Sequence, residues 1–99
     1  MELTLNVAGV TFEGRQDIIR GLVAKKSHRA TLQPEPDNPY DPDAVAVVVG
    51  GKKVGYVPKE YSHDVKSGLG EILFTRFSPY YSENLGCYCG TVSLILNDD

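Results

Sequence analysis

No stretch of this chain is long and apolar enough to cross a bilayer, and its polar, acidic start, Met1-Glu2-Leu3-Thr4, is not that of a signal peptide. Low-complexity segments and internal repeats are also missing, which leaves an ordinary globular composition with 41% hydrophobic residues. Positive charge is scarce. Ten lysines and arginines against thirteen acidic residues give a net charge of −3, which argues against a strong, sequence-blind nucleic-acid binder. Catalytic signatures are lacking too: there is no nucleophile elbow, phosphate-cradling glycine loop or zinc-protease motif. Ser27-His28 and Ser62-His63 are neighbours in sequence, which does not make a dyad. The acidic residues Asp37, Asp41 and Asp43 lack the sharp-turn glycine and closing glutamate of a calcium loop. Cys87-Tyr88-Cys89 puts two thiols on one face of a strand. A structural zinc site needs four ligands, and His28 and His63 have no metal-like spacing to the pair. These absences lead us to expect a single domain over residues 1–99 that is cytoplasmic, with reduced cysteines. It should have no enzyme activity, cofactor, metal or membrane partner.

What is present centres on residues 35–44, Glu35-Pro36-Asp37-Asn38-Pro39-Tyr40-Asp41-Pro42-Asp43-Ala44, with three prolines and four acidic residues in ten positions. Proline fixes φ, removes a donor and extends its predecessor, so neither a helix nor a central strand can form here. Asn38 and Asp41 each precede a proline and can bond back to nearby amides. The expectation is an ordered, irregular loop that presents Tyr40 among carboxylates. Basic residues gather elsewhere, with Arg15, Arg20, Lys25, Lys26 and Arg29 against Asp17 alone. An acidic protein can keep a local basic face of this kind.

Around the loop, alternation of Leu3, Leu5 and Val7 predicts a strand, and Ile18, Ile19, Leu22 and Val23 predict one face of a short helix within residues 14–24. Arg15, Gln16, Asp17 and Arg20 fall on its other side. A brief strand at residues 30–33 leads into the loop. The run Ala44–Val49 predicts a buried strand, Gly50-Gly51 a hairpin turn, and residues 52–57 its partner. A second helix is expected over residues 58–67, anchored by Tyr61 and Val65. Strands at 71–78 and 87–97 follow, separated by a tyrosine-rich loop at 79–84, with a bulge or bend at Gly90. The class is mainly β with two short helices (α+β), and the expected architecture is a small, mostly antiparallel β-barrel.

Asn38-Pro39-Tyr40-Asp41, then Ala44 opening a valine-rich strand and Val54-Gly55-Tyr56-Val57-Pro58 closing the hairpin, resembles the HIRAN domain family. The stretch Val7-Ala8-Gly9-Val10-Thr11-Phe12 fits that family's first strand, and the resemblance spans roughly residues 3 to 69. The family occurs as a module in some DNA-repair helicase-like proteins and as short bacterial proteins. The resemblance implies an OB-like barrel with added helices that recognises 3′ ends of single-stranded DNA in repair or processing. It implies that Tyr40 stacks on the terminal nucleotide, Asp41 takes the 3′-hydroxyl, Asn38 orders the loop and Lys59 touches a backbone phosphate. Single strands are read through aromatic faces and cations, so Phe12 and Tyr56 offer further rings. In the repair-helicase members an arginine-tyrosine pair stands where this chain has Thr11-Phe12. Phe12 keeps the ring without the hydroxyl, and Thr11 supplies no cation.

Two alternatives stand beside that reading. Asn38 and Asp41 could simply cap turns while Tyr40 plugs the barrel mouth. The chain could also be a protein-interaction or accessory module of the same fold that has lost DNA-end binding. Residues 77–81, with Arg76, fit a protein-binding patch, a stacking wall or late-strand core.

Overall fold

The computed structural model describes residues 2–97, so Met1 and the acidic pair Asp98-Asp99 lie outside the described residues. Seven strands and two helices follow one another as β1 (Glu2–Asn6), α1 (Arg15–Arg20), β2 (His28–Arg29), β3 (Thr31–Pro34), β4 (Val45–Val49), β5 (Lys52–Tyr56), α2 (Lys59–Ser67), β6 (Ile72–Ser82) and β7 (Cys87–Leu96). A single 3₁₀ turn, Leu69–Glu71, leads from α2 into β6. The expected class, mainly β with two helices, is what is seen.

The barrel is seen only in part. The strands form two antiparallel sheets, one in the order β1-β7-β6-β2 and the other β3-β4-β5, and no single closed barrel. Two corners join them. Past β1, the Val7 N–H bonds to Gly90 O at 2.9 Å, and Ala8 then exchanges two 2.8 Å backbone bonds with Tyr56 on β5. At the other corner Ala30 separates β2, paired with β6, from β3, paired with β4. The core lies between the sheets. Val45, Val47, Val54, Phe77 and Val92 are fully buried there, each stabilising the fold by about 1.5–3 kcal/mol. Val45, Ala46 and Val47 are all 0% exposed, so β4 is covered on both faces, which accounts for its unbroken apolar run. The hairpin turn forms as expected, with φ of 58° at Gly50 and 81° at Gly51.

Several local expectations need correction. The first helix stops at Arg20. Gly21 follows it, and Val23 is left exposed. Arg15, expected on the outer side, is buried at 4% exposure, because it shares a helix face with Ile19 four residues on. In α2 Val65 is buried but Tyr61 is 44% exposed, and the buried neighbour is Ser62 at 2%. The tyrosine-rich stretch at 79–82 is strand rather than loop. Beyond Phe77 the outer edge of β6 is unpaired, so Pro79, with no N–H to offer, fits there. Gly90 makes no bulge: its register with Pro79 is continuous, and a Cβ there would overlap the Phe77 ring. The irregularity in β6 falls between Ile72 and Phe74 instead, and it turns Leu73 out to 67% exposure although Thr75 and Phe77 point inward.

Candidate functional site

The proline-rich loop is closed at its base by the Glu35 N–H bonding to Ala44 O at 2.9 Å. Inside it Asn38 acts as the organiser. Its Oδ1 accepts the N–H of Tyr40 at 2.9 Å and the N–H of Asp41 at 3.1 Å, so one short side chain replaces the backbone partners that the prolines preclude. Asp41 repeats the device one step on, with Oδ1 accepting the Asp43 N–H at 2.9 Å. Two elements clamp the loop from either side. On the β5 side, Glu35 pairs with Lys53 at 2.6 Å and accepts the Tyr56 hydroxyl at 2.7 Å, while the Asn38 amide reaches the same carboxylate at 3.2 Å. On the α2 side the Ser62 hydroxyl stands 2.8 Å from Asp41 Oδ2 and 2.9 Å from Lys59 O. It has one proton, and the carboxylate is the stronger acceptor. His63 and Lys66 meet Asp43 at 3.3 and 3.4 Å.

These bonds set the electrostatics. Asp41 is held below its ordinary value by the Asp43 N–H first, then the Ser62 hydroxyl, with the charges of Lys59 and Lys66 adding to both. Burial alone would raise Glu35, but the bonds from Lys53, Tyr56 and Asn38 outweigh it and carry the group down. Lys53 is raised by the same pairing with Glu35. At the apex of this fixed frame Tyr40 is 88% exposed. It stands in solvent and plugs no opening.

A second turn lies beside Tyr56. Gly9, with φ of 69°, begins it, and the Arg15 guanidinium closes it by donating to Gly9 O at 2.6 Å. Gly9 is also where three side chains converge. A Cβ placed there would stand 3.0 Å from Arg15 Nη1, 3.7 Å from Tyr56 Cδ1 and 3.9 Å from Phe12 Cδ2. Arg15 lies over the Tyr56 ring, 5.1 Å from its centroid, and its other contact is Glu13 at 3.2 Å. Phe12 is 63% exposed. Gln16 fixes the turn to β7, donating to Val10 O and Tyr88 O at 2.8 Å each and accepting the Tyr88 N–H at 2.8 Å.

The six residues that sequence chemistry and resemblance singled out thus form two linked groups. Asn38, Tyr40 and Asp41 share one loop, with Lys59 near enough for its charge to act on Asp41. Phe12 and Tyr56 meet at Gly9, and the bond from Tyr56 to Glu35 connects the groups. The three rings do not stack on one another; among the described residues the one ring pair is Tyr81 with Tyr88. Sequence reasoning missed Glu35, Lys53 and Ser62 as supports of the loop, and Arg15 and Gln16 as supports of the turn. Lys53, Ser62 and Gln16 meet partners 18 or more residues away, in Glu35, Asp41 and Tyr88, and no local pattern marks those contacts.

A family model for the HIRAN domain matches residues 2–86. In fold the chain is similar to the crystal structure of the HIRAN domain of human HLTF, at a TM-score of 0.63 and 20% identity, over 94% of this chain and 74% of that one. No curated protein matches the chain.

Proposed function

Because the chain belongs to the HIRAN family, a family of nucleic-acid-binding modules, we propose that it is a non-catalytic reader of single-stranded DNA that captures the 3′ end in DNA repair or processing. The observation that carries this reading is the loop itself: an 88% exposed tyrosine ring on a backbone held by Asn38, beside a carboxylate fixed from both sides. Such a ring offers a stacking face with little ordering left to do on binding. Each Asp41 oxygen already accepts one bond. A carboxylate has about four acceptor positions, so room remains for a hydroxyl proton, while a terminal phosphate would be repelled. Lys59, exposed at the start of α2, supplies the cation for the adjoining backbone. Phe12, 63% exposed, extends the aromatic surface, with Tyr56 half-buried beside it.

The test is fluorescence anisotropy at low salt with a short single-stranded oligonucleotide bearing a free 3′-hydroxyl, on wild type, Tyr40→Ala and Asp41→Ala. Capture of the end predicts binding by wild type and its loss in both variants. Binding indifferent to both substitutions would sink the proposal.

One observation favours a second reading, an accessory or protein-interaction module that has lost the DNA site. Arg15 does not stand in for the cation missing at Thr11, because its guanidinium is buried and committed to Gly9 and Glu13. Under that reading no oligonucleotide binds.

A further inference from the structure

The outer face of the four-stranded sheet holds a charge arrangement that the loop does not explain. Arg29 on β2 and Arg76 on β6 stand directly opposite each other in register. Cross-strand partners share a face, and like charges so placed destabilise a sheet. Phe74, two residues before Arg76, lies on the same side, with the Arg29 guanidinium carbon 4.4 Å and the Arg76 carbon 5.2 Å from its ring centroid. Thr75 and Phe77, which alternate with them, point into the core at 7% and 0% exposure.

Arg15, Arg20, Lys53 and Lys66 each have a carboxylate partner. Arg29 and Arg76 have none: among the described residues their contacts are with the Phe74 ring alone, with no ion pair or hydrogen bond. Opposite Arg76 on β7 is Ser93 and beyond it Thr4 on β1; Glu2, the acidic position on this face of β1, is two strands away and two residues along, about 12 Å. Beside the pair runs an open groove of about 410 Å³ lined by Arg29, Leu32, Leu69, Leu73 and Phe74, with no carboxylate in its wall. The sheet connects this place to the aromatic turn. From Arg76, β6 runs five residues, about 17 Å, to Tyr81, which lies on the other face of the sheet and packs on Tyr88. Gln16 ties Tyr88 to the turn that carries Phe12, so the path from that turn to Arg76 passes round the unpaired edge of β6 beyond Phe77.

We propose that Arg29 and Arg76, braced on Phe74, form a second contact for the same single strand, gripping its phosphodiester backbone on the 5′ side of the captured end. The inference rests on the end-reading function proposed above. The ring contact holds each guanidinium near Phe74 and leaves N–H groups to donate to phosphate oxygens. An anion between the arginines relieves the repulsion that the bare protein leaves unmet. The apolar wall at Leu73, 67% exposed, then meets sugar and base.

The experiment compares wild type with the Arg29→Gln/Arg76→Gln double variant on 3′-hydroxyl and 3′-phosphate oligonucleotides of about 4 and about 12 nucleotides, within the range that small single-strand-binding folds cover. Each affinity is measured across a salt series. The inference expects the double variant to bind the short hydroxyl strand like wild type and to lose the tighter binding of the long one. Its log–log salt slope on the long strand should fall by about 1.4, two phosphates at ~0.7 each. Wild-type affinity and slope for the long strand in the double variant would overturn the inference. If the ends are not distinguished but the long strand still depends on the arginines, the backbone surface stands and the end-reading proposal fails. No binding by wild type at either length overturns both. A melting temperature for the double variant at or above that of wild type shows that lost affinity is not lost structure.

Discussion

The proline-rich loop and the outer face of β6 treat charge in opposite ways. In the loop the partly buried charges are matched from within: Glu35 with Lys53, Asp43 with His63 and Lys66, and Asp41 with an N–H and a hydroxyl. On the sheet face two arginines stand opposite each other and meet only a phenylalanine ring. Internal pairing gives an irregular segment the order that its prolines deny it. Unmet like charge gives the sheet nothing by itself and becomes favourable when an anion arrives. The first region holds a fixed shape without help, and the second leaves its charge for a partner to meet.

The largest effect that would break this contrast is expected at Asn38. Asn38→Ala removes the acceptor of two backbone N–H groups and a bond to Glu35, and should lower stability by about 1–2 kcal/mol, a fall of roughly 5–10 °C in Tm. Thermal unfolding followed by circular dichroism measures it. An unchanged Tm would mean that the loop is held without Asn38, by its prolines and the clamps from β5 and α2.

Next in size is a dependence on pH. Glu35 and Asp41 both lie below their ordinary values of 4.5 and 3.8 in the folded protein. Their contribution is therefore complete above those values and is lost as pH falls through the lower folded ones. Urea unfolding from pH 7 down to about 3 should show stability declining at the acid end, and Glu35→Gln should flatten the decline while lowering the plateau. A decline unaltered by Glu35→Gln would place the acid sensitivity elsewhere.

The hairpin turn, the loop and the buried β4 strand were legible in the sequence because each depends on residues next to one another. Gly50-Gly51 can take positive φ, three prolines exclude regular structure, and an unbroken valine run is buried wherever it lies. Arg15, Ser62 and Gly90 were not legible. Arg15 lies four residues before the buried Ile19, so the helical repeat puts both on one face, but a charged group there reads as solvent-facing until Tyr56 and Gly9 O are placed beside it. Ser62 is buried because Asp41, twenty-one residues earlier, takes its hydroxyl. Gly90 must be small because the Phe77 ring lies across it from the facing strand. Ser62 and Gly90 are set by neighbours distant in sequence, of which local periodicity holds no trace.

The smallest effect is expected on the sheet face. Arg76→Gln removes one of two facing like charges and should leave stability within about 0.5 kcal/mol of wild type, shifted upward where it shifts at all. The shift should shrink as salt rises, because exposed charges are screened. Denaturant melts at low and high salt read it. Clear destabilisation would show that the stack on Phe74 supports the fold rather than waiting for a ligand.

The most direct test of the end-reading loop is the ratio of affinities for a 3′-hydroxyl and a 3′-phosphate on the same short strand, measured for wild type and Asp41→Asn. A fixed carboxylate accepting the hydroxyl predicts at least about a tenfold preference for the hydroxyl in wild type, the scale of one charge-assisted hydrogen bond. In Asp41→Asn, with the negative charge gone, that preference should collapse. Equal affinity for the two ends in wild type, or a preference that survives Asp41→Asn, would contradict the account.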